Sequence, residues 1–252
     1  MVATGTPPLA ARTALVTGAA RRVGAAIATA LHAAGANVVI HYRSSRAEAD
    51  ALAENFNRIR AGSAVTVSAD LLEVEQHPRL VAAAKSAFGA LDILVNNAST
   101  FYPTPVGEIT LAAWEDLIGS NLKAPLFLSQ AAVPALRARQ GLILNIVDIH
   151  GMRPLPDYPL YSTAKAGLIM LTRALARELG PEIRVNGIAP GPVMWPEGEL
   201  DLPMKQEIVR KTALKRIGTP EDVAQCAVYF ATAAPFVTGQ ILAVDGGRSL
   251  GW

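Results

Sequence analysis

Short apolar runs and longer stretches with helical spacing take turns along nearly the whole chain, and this alternation leaves few folds open. Thr13–Thr17 is the first run. Val23, Ile27, Leu31 and Ala34 then recur at the interval of one helix face, which Gly35 ends. Val38–Ile40, Ala64–Ser68, Leu91–Val95, Leu142–Val147, Ile183–Ile188 and Ile241–Val244 read as further strands. Helices fall between them: one carrying Leu52, Phe56 and Ile59, then Pro78–Phe88, Leu111–Gln140, Tyr158–Leu179 and Pro220–Ala231. Pro125 and Pro134 should kink or divide the longest. Strands separated by helices pair in parallel through right-handed crossovers. The expectation is one α/β domain over 12–252, with a doubly wound, seven-stranded parallel sheet, preceded by a flexible tail at 1–11.

Composition removes other classes. Among 252 residues, 23 Lys and Arg nearly balance 21 Asp and Glu, so no electrostatic footprint for nucleic acid or an acidic membrane is expected. The single cysteine, Cys226, excludes an intrachain disulfide and a cysteine-rich metal site. His32, His41, His77 and His150 are scattered without metal-ligand spacing, so no metal is expected. Apolar stretches break before the roughly 18 residues that a membrane span needs. Met1 to Ala11 holds no basic start followed by an apolar block, and a cytoplasmic location is expected. Pro190–Lys211 breaks the rhythm, being rich in Pro, Gly and charge, and reads as a lid over a site.

In an open parallel sheet, ligands bind beyond the carboxyl ends of the strands. There, Thr17-Gly-Ala-Ala-Arg-Arg-Val-Gly24 forms a Gly-bounded turn that opens a helix, where amide groups and the helix dipole suit a pyrophosphate. A tight turn without a ligand is the plainer alternative. Further motifs line up in order: Asn96-Asn-Ala98, Asn121, Tyr161-Ser-Thr-Ala-Lys165, Val185-Asn-Gly-Ile-Ala-Pro-Gly191, Thr238-Gly-Gln240 and Val244-Asp-Gly-Gly247. From about Arg12 to Arg248 the chain resembles the short-chain dehydrogenase/reductase family. That resemblance implies a Rossmann-like fold and a nicotinamide cofactor. It places Gly18, Arg22, Val23, Asn97, Ala98, Ser99, Tyr161, Lys165, Pro190 and Gly191 around the cofactor, with Asp70 and Leu71 flanking the adenine.

Tyr161 and Lys165 are i and i+4 on one helix face, so phenol and ammonium can converge. A phenol with a pKa near 10 exchanges protons poorly at neutral pH unless a cation stabilises its phenolate. By the resemblance Tyr161 is the acid, Lys165 its tuner, and Asn121 orders a proton-relay water. Tyr158 is a second candidate or a pocket wall.

Three departures from the family pattern narrow the expectation. The middle glycine of TGxxxGxG is replaced by Arg22, whose guanidinium can reach phosphate. The segment Ile40-His-Tyr-Arg-Ser-Ser45 lacks the carboxylate that binds a ribose 2′-hydroxyl, so His41, Tyr42, Arg43, Ser44 and Ser45 are expected to favour NADPH. Asp148 stands where the family has its catalytic serine. An ionised aspartate repels a growing oxyanion, whereas reduction of a ring C=N bond needs a proton at nitrogen, which Asp148 can favour or carry with Tyr161.

With Phe101 following Ser99 at the mouth of the fourth strand, these residues resemble the pteridine reductases of that family. The resemblance implies reduction of a pterin, or of a folate, by NADPH. Phe101 would stack the pterin, Ser99 and Arg22 touch it, Asp148 and Tyr161 serve proton transfer, and Met194 and Trp195 line the pocket. It also implies a homotetramer built through the Leu111–Gln140 and Tyr158–Leu179 helices, with Trp252 reaching a neighbouring pocket. The rivals are a carbonyl reductase acting on 3-oxoacyl thioesters and a non-catalytic NADPH-binding regulatory protein. Asn121, Tyr161 and Lys165 speak against the latter, because binding alone needs no proton donor.

Overall fold

A computed structural model describes residues 6–195 and 201–251. Parts of the expected tail and lid, and Trp252, lie outside the described residues. The elements run β1 (Thr13–Val16), α1 (Arg22–Ala33), β2 (Asn37–Tyr42), α2 (Arg46–Ile59), β3 (Ala64–Ser68), α3 (His77–Phe88), β4 (Ile93–Asn96), α4 (Leu111–Ile118), a π-turn (Gly119–Lys123), α5 (Ala124–Arg137), β5 (Leu142–Ile146), α6 (Pro159–Leu179), β6 (Arg184–Pro190), α7 (Leu202–Lys211), α8 (Pro220–Thr232) and β7 (Ile241–Val244). All seven strands pair in parallel in the order β3-β2-β1-β4-β5-β6-β7. This is the doubly wound, Rossmann-like sheet that the alternation predicts.

Side-chain alternation along the strands feeds two cores, one on each face of the sheet. Ala14, Val16, Leu142, Leu144 and Ile146 pack under α1, α2 and α8 with Ile27, Leu31, Phe56 and Phe230. Leu15 and Ile143 point the other way, to Leu80, Leu128 and Leu136 of α3 and α5. After β3 the chain returns to lay β4 on the other side of β1, so strand order reverses between β1 and β4. A crevice at their carboxyl ends follows from that reversal.

Three local features bear on the sequence expectation. The long helical stretch over Leu111–Gln140 is divided by the π-turn, as expected at Pro125, which lacks an N–H and cannot donate to the carbonyl of Asn121 in the α register. Pro134, by contrast, is accommodated inside α5. The tail is tied down at Leu9, which is buried and donates its amide to the carbonyl of Ala34 at 2.9 Å. Within the expected lid, 202–211 forms α7, whose N-cap Asp201 accepts from the amide of Met204. No helix among the described residues is long and apolar enough to cross a membrane.

Candidate active site

Two strand ends and one helix deliver the reactive side chains. Asp148 follows β5 and caps the short 3₁₀ turn Ile149–Gly151, its Oδ1 accepting from the His150 amide at 2.8 Å. That bond aims the other oxygen inward, where Oδ2 accepts from the Tyr161 hydroxyl at 2.7 Å. Tyr161 and Lys165 lie on the first turns of α6, and both are buried. The Lys165 ammonium donates to the carbonyl of Ile146 at 2.9 Å and lies 5.6 Å from the Tyr161 ring centroid. Phe101 is 42% exposed. It stacks on Tyr158 at 4.6 Å and meets Tyr161 edge-on at 4.8 Å.

Burial, then the charge and hydrogen bond of Asp148, push the Tyr161 phenol well above its usual range, so it keeps its proton. Lys165 is pulled down to about 8 by burial against the opposing pull of Asp148. In the protein alone the carboxylate, rather than the ammonium, dominates the phenol, because only the carboxylate is in direct contact with its oxygen.

Asn121 sits in the π-turn with its side chain fully buried, donating to the carbonyls of Thr100 and Leu117, each at 3.0 Å. Its side-chain oxygen is buried without a partner. The π-turn is thereby tied to the segment bearing Phe101.

At the crevice between β1 and β4, Thr17 holds the two strand ends together. Its hydroxyl donates to the carbonyl of Val95 and accepts from the amides of Asn97 and Ala98. Asn97 donates its side-chain amide to the carbonyls of Thr17 and Gly18. Gly18 adopts a φ of +59°, and a Cβ on Gly24 would lie 2.2 Å from the Gly18 carbonyl, so helix and turn can close only with glycine there. Arg22 also takes a left-handed φ, +55°, at the place where the pattern has glycine.

A family model described as enoyl-(acyl carrier protein) reductase matches residues 18–249. Pteridine reductase 1 of Leishmania tarentolae is 39% identical, the match covering 94% of this chain and 96% of that protein. A 3-oxoacyl-[acyl-carrier-protein] reductase of Synechocystis is 37% identical over 95% of this chain and 97% of its own. The 3-oxoacyl-[acyl-carrier-protein] reductase FabG of Staphylococcus aureus is 33% identical over 94% and 97%.

The chain belongs to the short-chain dehydrogenase/reductase family. It is an oxidoreductase, and this family uses a nicotinamide cofactor, NAD(P)H. The residues present fit such a group. The first turn of α1 carries no side-chain cap and no acidic residue, and a helix opening of that kind suits a phosphate.

Several residues expected to touch the cofactor make their bonds within the protein. His41 is 2% exposed and Tyr42 is buried; β2 is covered on both faces to its end. Arg43 and Ser44 are exposed, and Ser45 makes no capping bond at the start of α2. Asn97 uses its side chain on the turn, as described above. Asp70 accepts from the amide of Leu72, and buried Leu71 offers its carbonyl to His77. Gly191 is required by packing, since a Cβ there would lie 2.6 Å from that of Asp245, while neighbouring Pro190 ends β6 in a buried position.

Met194 and Trp195 were expected beside the substrate. The structure places them over α1: Met194 lines a groove with Ala26, Ala30 and Ala224, and the Trp195 carbonyl accepts from Arg22 at 3.2 Å. Ser99 is exposed at the mouth of β4 and Val23 half-buried in the first turn of α1. Sequence reasoning missed Thr17 and the buried chain from Asn96 through Asn145 to Thr172, bonded at 2.8 and 2.9 Å. Asparagine inside the most apolar strand was the available signal.

Proposed function

We propose that this protein is an NADPH-dependent pteridine reductase. The observation that carries the reading is the 2.7 Å bond from the Tyr161 hydroxyl to Asp148. A carboxylate next to the proton donor disfavours a developing alkoxide and favours a nitrogen that gains a proton. Bound NADPH supplies the hydride. One C=N bond of the pyrazine ring becomes CH–NH, with a proton delivered to nitrogen from the Tyr161–Asp148 pair. Lys165 holds positive charge beside the phenol while its proton is away. Phe101, 42% exposed and edge-on to Tyr161, supports stacking of a flat heterocycle there. Exposed Arg43 and Ser44, with Ser45 beside them, support NADPH as the cofactor, since a guanidinium and hydroxyls can pair with a 2′-phosphate. The 39% identity to a pteridine reductase accords with this reading. A lid over 190–211 and a tetramer belong to the same proposal; exposed Trp114, Phe127 and Met170 on α4, α5 and α6 support the latter, and sedimentation measures it.

A carbonyl reductase is the second reading, favoured by the oxoacyl reductases among the relatives. NADPH oxidation followed with dihydrobiopterin, dihydrofolate and a simple 3-ketoester separates the two. Turnover of the pterin is expected. Fast turnover of the ketoester alone overturns the assignment, and NADPH binding without turnover of any points to a regulatory protein.

A further inference from the structure

We infer that His41 is a positioning residue that locks the phosphate turn after β1 to the turn after β3, setting the spacing of the cofactor cradle without touching the cofactor. The inference rests on the nicotinamide-dinucleotide site described above. Three bonds carry it. The Gly18 amide donates to His41 Nδ1 at 3.1 Å, the Ala19 amide donates to the His41 carbonyl at 2.9 Å, and His41 Nε2 lies 3.1 Å from the carbonyl of Ala69. An amide only donates and a carbonyl only accepts, so this set closes in a single form: neutral imidazole, bare at Nδ1 and protonated at Nε2. At 2% exposure the ring has no water to take over either bond.

The far side of the β3 turn is held in the same way. His77, at the start of α3, lies 3.0 Å through Nε2 from the carbonyl of Leu71. Two imidazoles thus grip the segment Ala69–Leu71, of which Asp70 and Leu71 flank the adenine in the family reading. On the other side, His41 consumes the first two amides of the glycine turn. Phosphate recognition is left to the amides that open α1.

The test uses the full-length protein, with NADPH and NADH titrated by cofactor fluorescence and kcat measured at saturating cofactor. His41→Phe keeps the ring and removes both side-chain bonds. His41→Asn places an acceptor near Nδ1 and retains the Gly18 bond alone; His41→Gln places a donor near Nε2 and retains the Ala69 bond alone. The expected result is a Kd for NADPH raised roughly tenfold to a hundredfold in the Phe variant, a smaller rise in at least one amide variant, and kcat changed by less than about twofold. A Phe variant that binds NADPH as the natural protein does overturns the inference. Should that variant fail to fold, Asn and Gln variants with unaltered Kd overturn it equally. If the natural protein binds neither NADPH nor NADH, the dinucleotide reading falls and takes this inference with it.

Discussion

Tyr161 and Asp148 meet across 2.7 Å although they reach that point from different elements, the tyrosine from the first turns of α6 and the aspartate from the turn beyond β5. The carboxylate is steered there by its own second bond, to the His150 amide. Phenol and carboxylate are therefore in place before any substrate arrives, which in the proposed reading is the preorganisation that acid–base catalysis requires.

Replacing Asp148 tests that arrangement. Asp148→Ala is expected to lower kcat for pterin reduction by roughly a hundredfold or more, with the Kd for NADPH unchanged within about twofold. Asp148→Ser, restoring the family's usual residue, should gain turnover of a 3-ketoester. Equal losses of turnover and cofactor binding in the alanine variant would instead assign the side chain to folding.

Lys165 sets an upper pH limit. Burial brings its ammonium down to about 8, so positive charge beside the phenol is present at neutral pH and is lost as pH rises through that value. The profile of kcat/KM should fall on the alkaline side with a midpoint near 8. Lys165→Arg keeps its charge throughout and should carry the activity it retains to higher pH. An unchanged alkaline limb in that variant assigns the limb to another group.

Arg43 governs cofactor choice in the proposed reading. It is exposed just beyond β2, where a guanidinium can pair with a 2′-phosphate. Arg43→Ala should reduce the preference for NADPH over NADH by roughly tenfold to a hundredfold, chiefly by weakening NADPH. Equal weakening of both cofactors would place Arg43 outside the 2′-phosphate site.

His41 also couples the fold to acid. Burial lowers its pKa from 6.5 to about 4; the Ala69 bond and Asp70 oppose this, and His77 adds to it. The unfolded chain takes up the proton first, so the stabilisation is complete above pH 6.5 and is lost as pH falls through about 4. Its size is up to about 3 kcal/mol. His32 and His77 are lowered in the same direction, so the share of His41 is the difference between natural protein and His41→Phe. Urea unfolding at neutral and acid pH measures it: the variant should lose less stability on acidification. An equal loss would remove His41 from the account.

The sheet, the crevice between β1 and β4, and the shared face of Tyr161 and Lys165 were legible in the sequence because each follows from local periodicity. Short apolar runs become strands, residues four apart share a helix face, and glycines bounding a strand-to-helix turn mark a close approach. Tertiary structure decided the rest. The inward turn of His41 is invisible along a strand buried on both faces, since alternation separates core from solvent only where one face is wet. Its partners Gly18 and Ala69 lie 23 and 28 positions away. Likewise, a protonated phenol is the work of burial and of Asp148, 13 residues distant. Residue spacing reports which groups a strand or helix can present; which proton each group holds depends on the neighbours and the desolvation that folding brings.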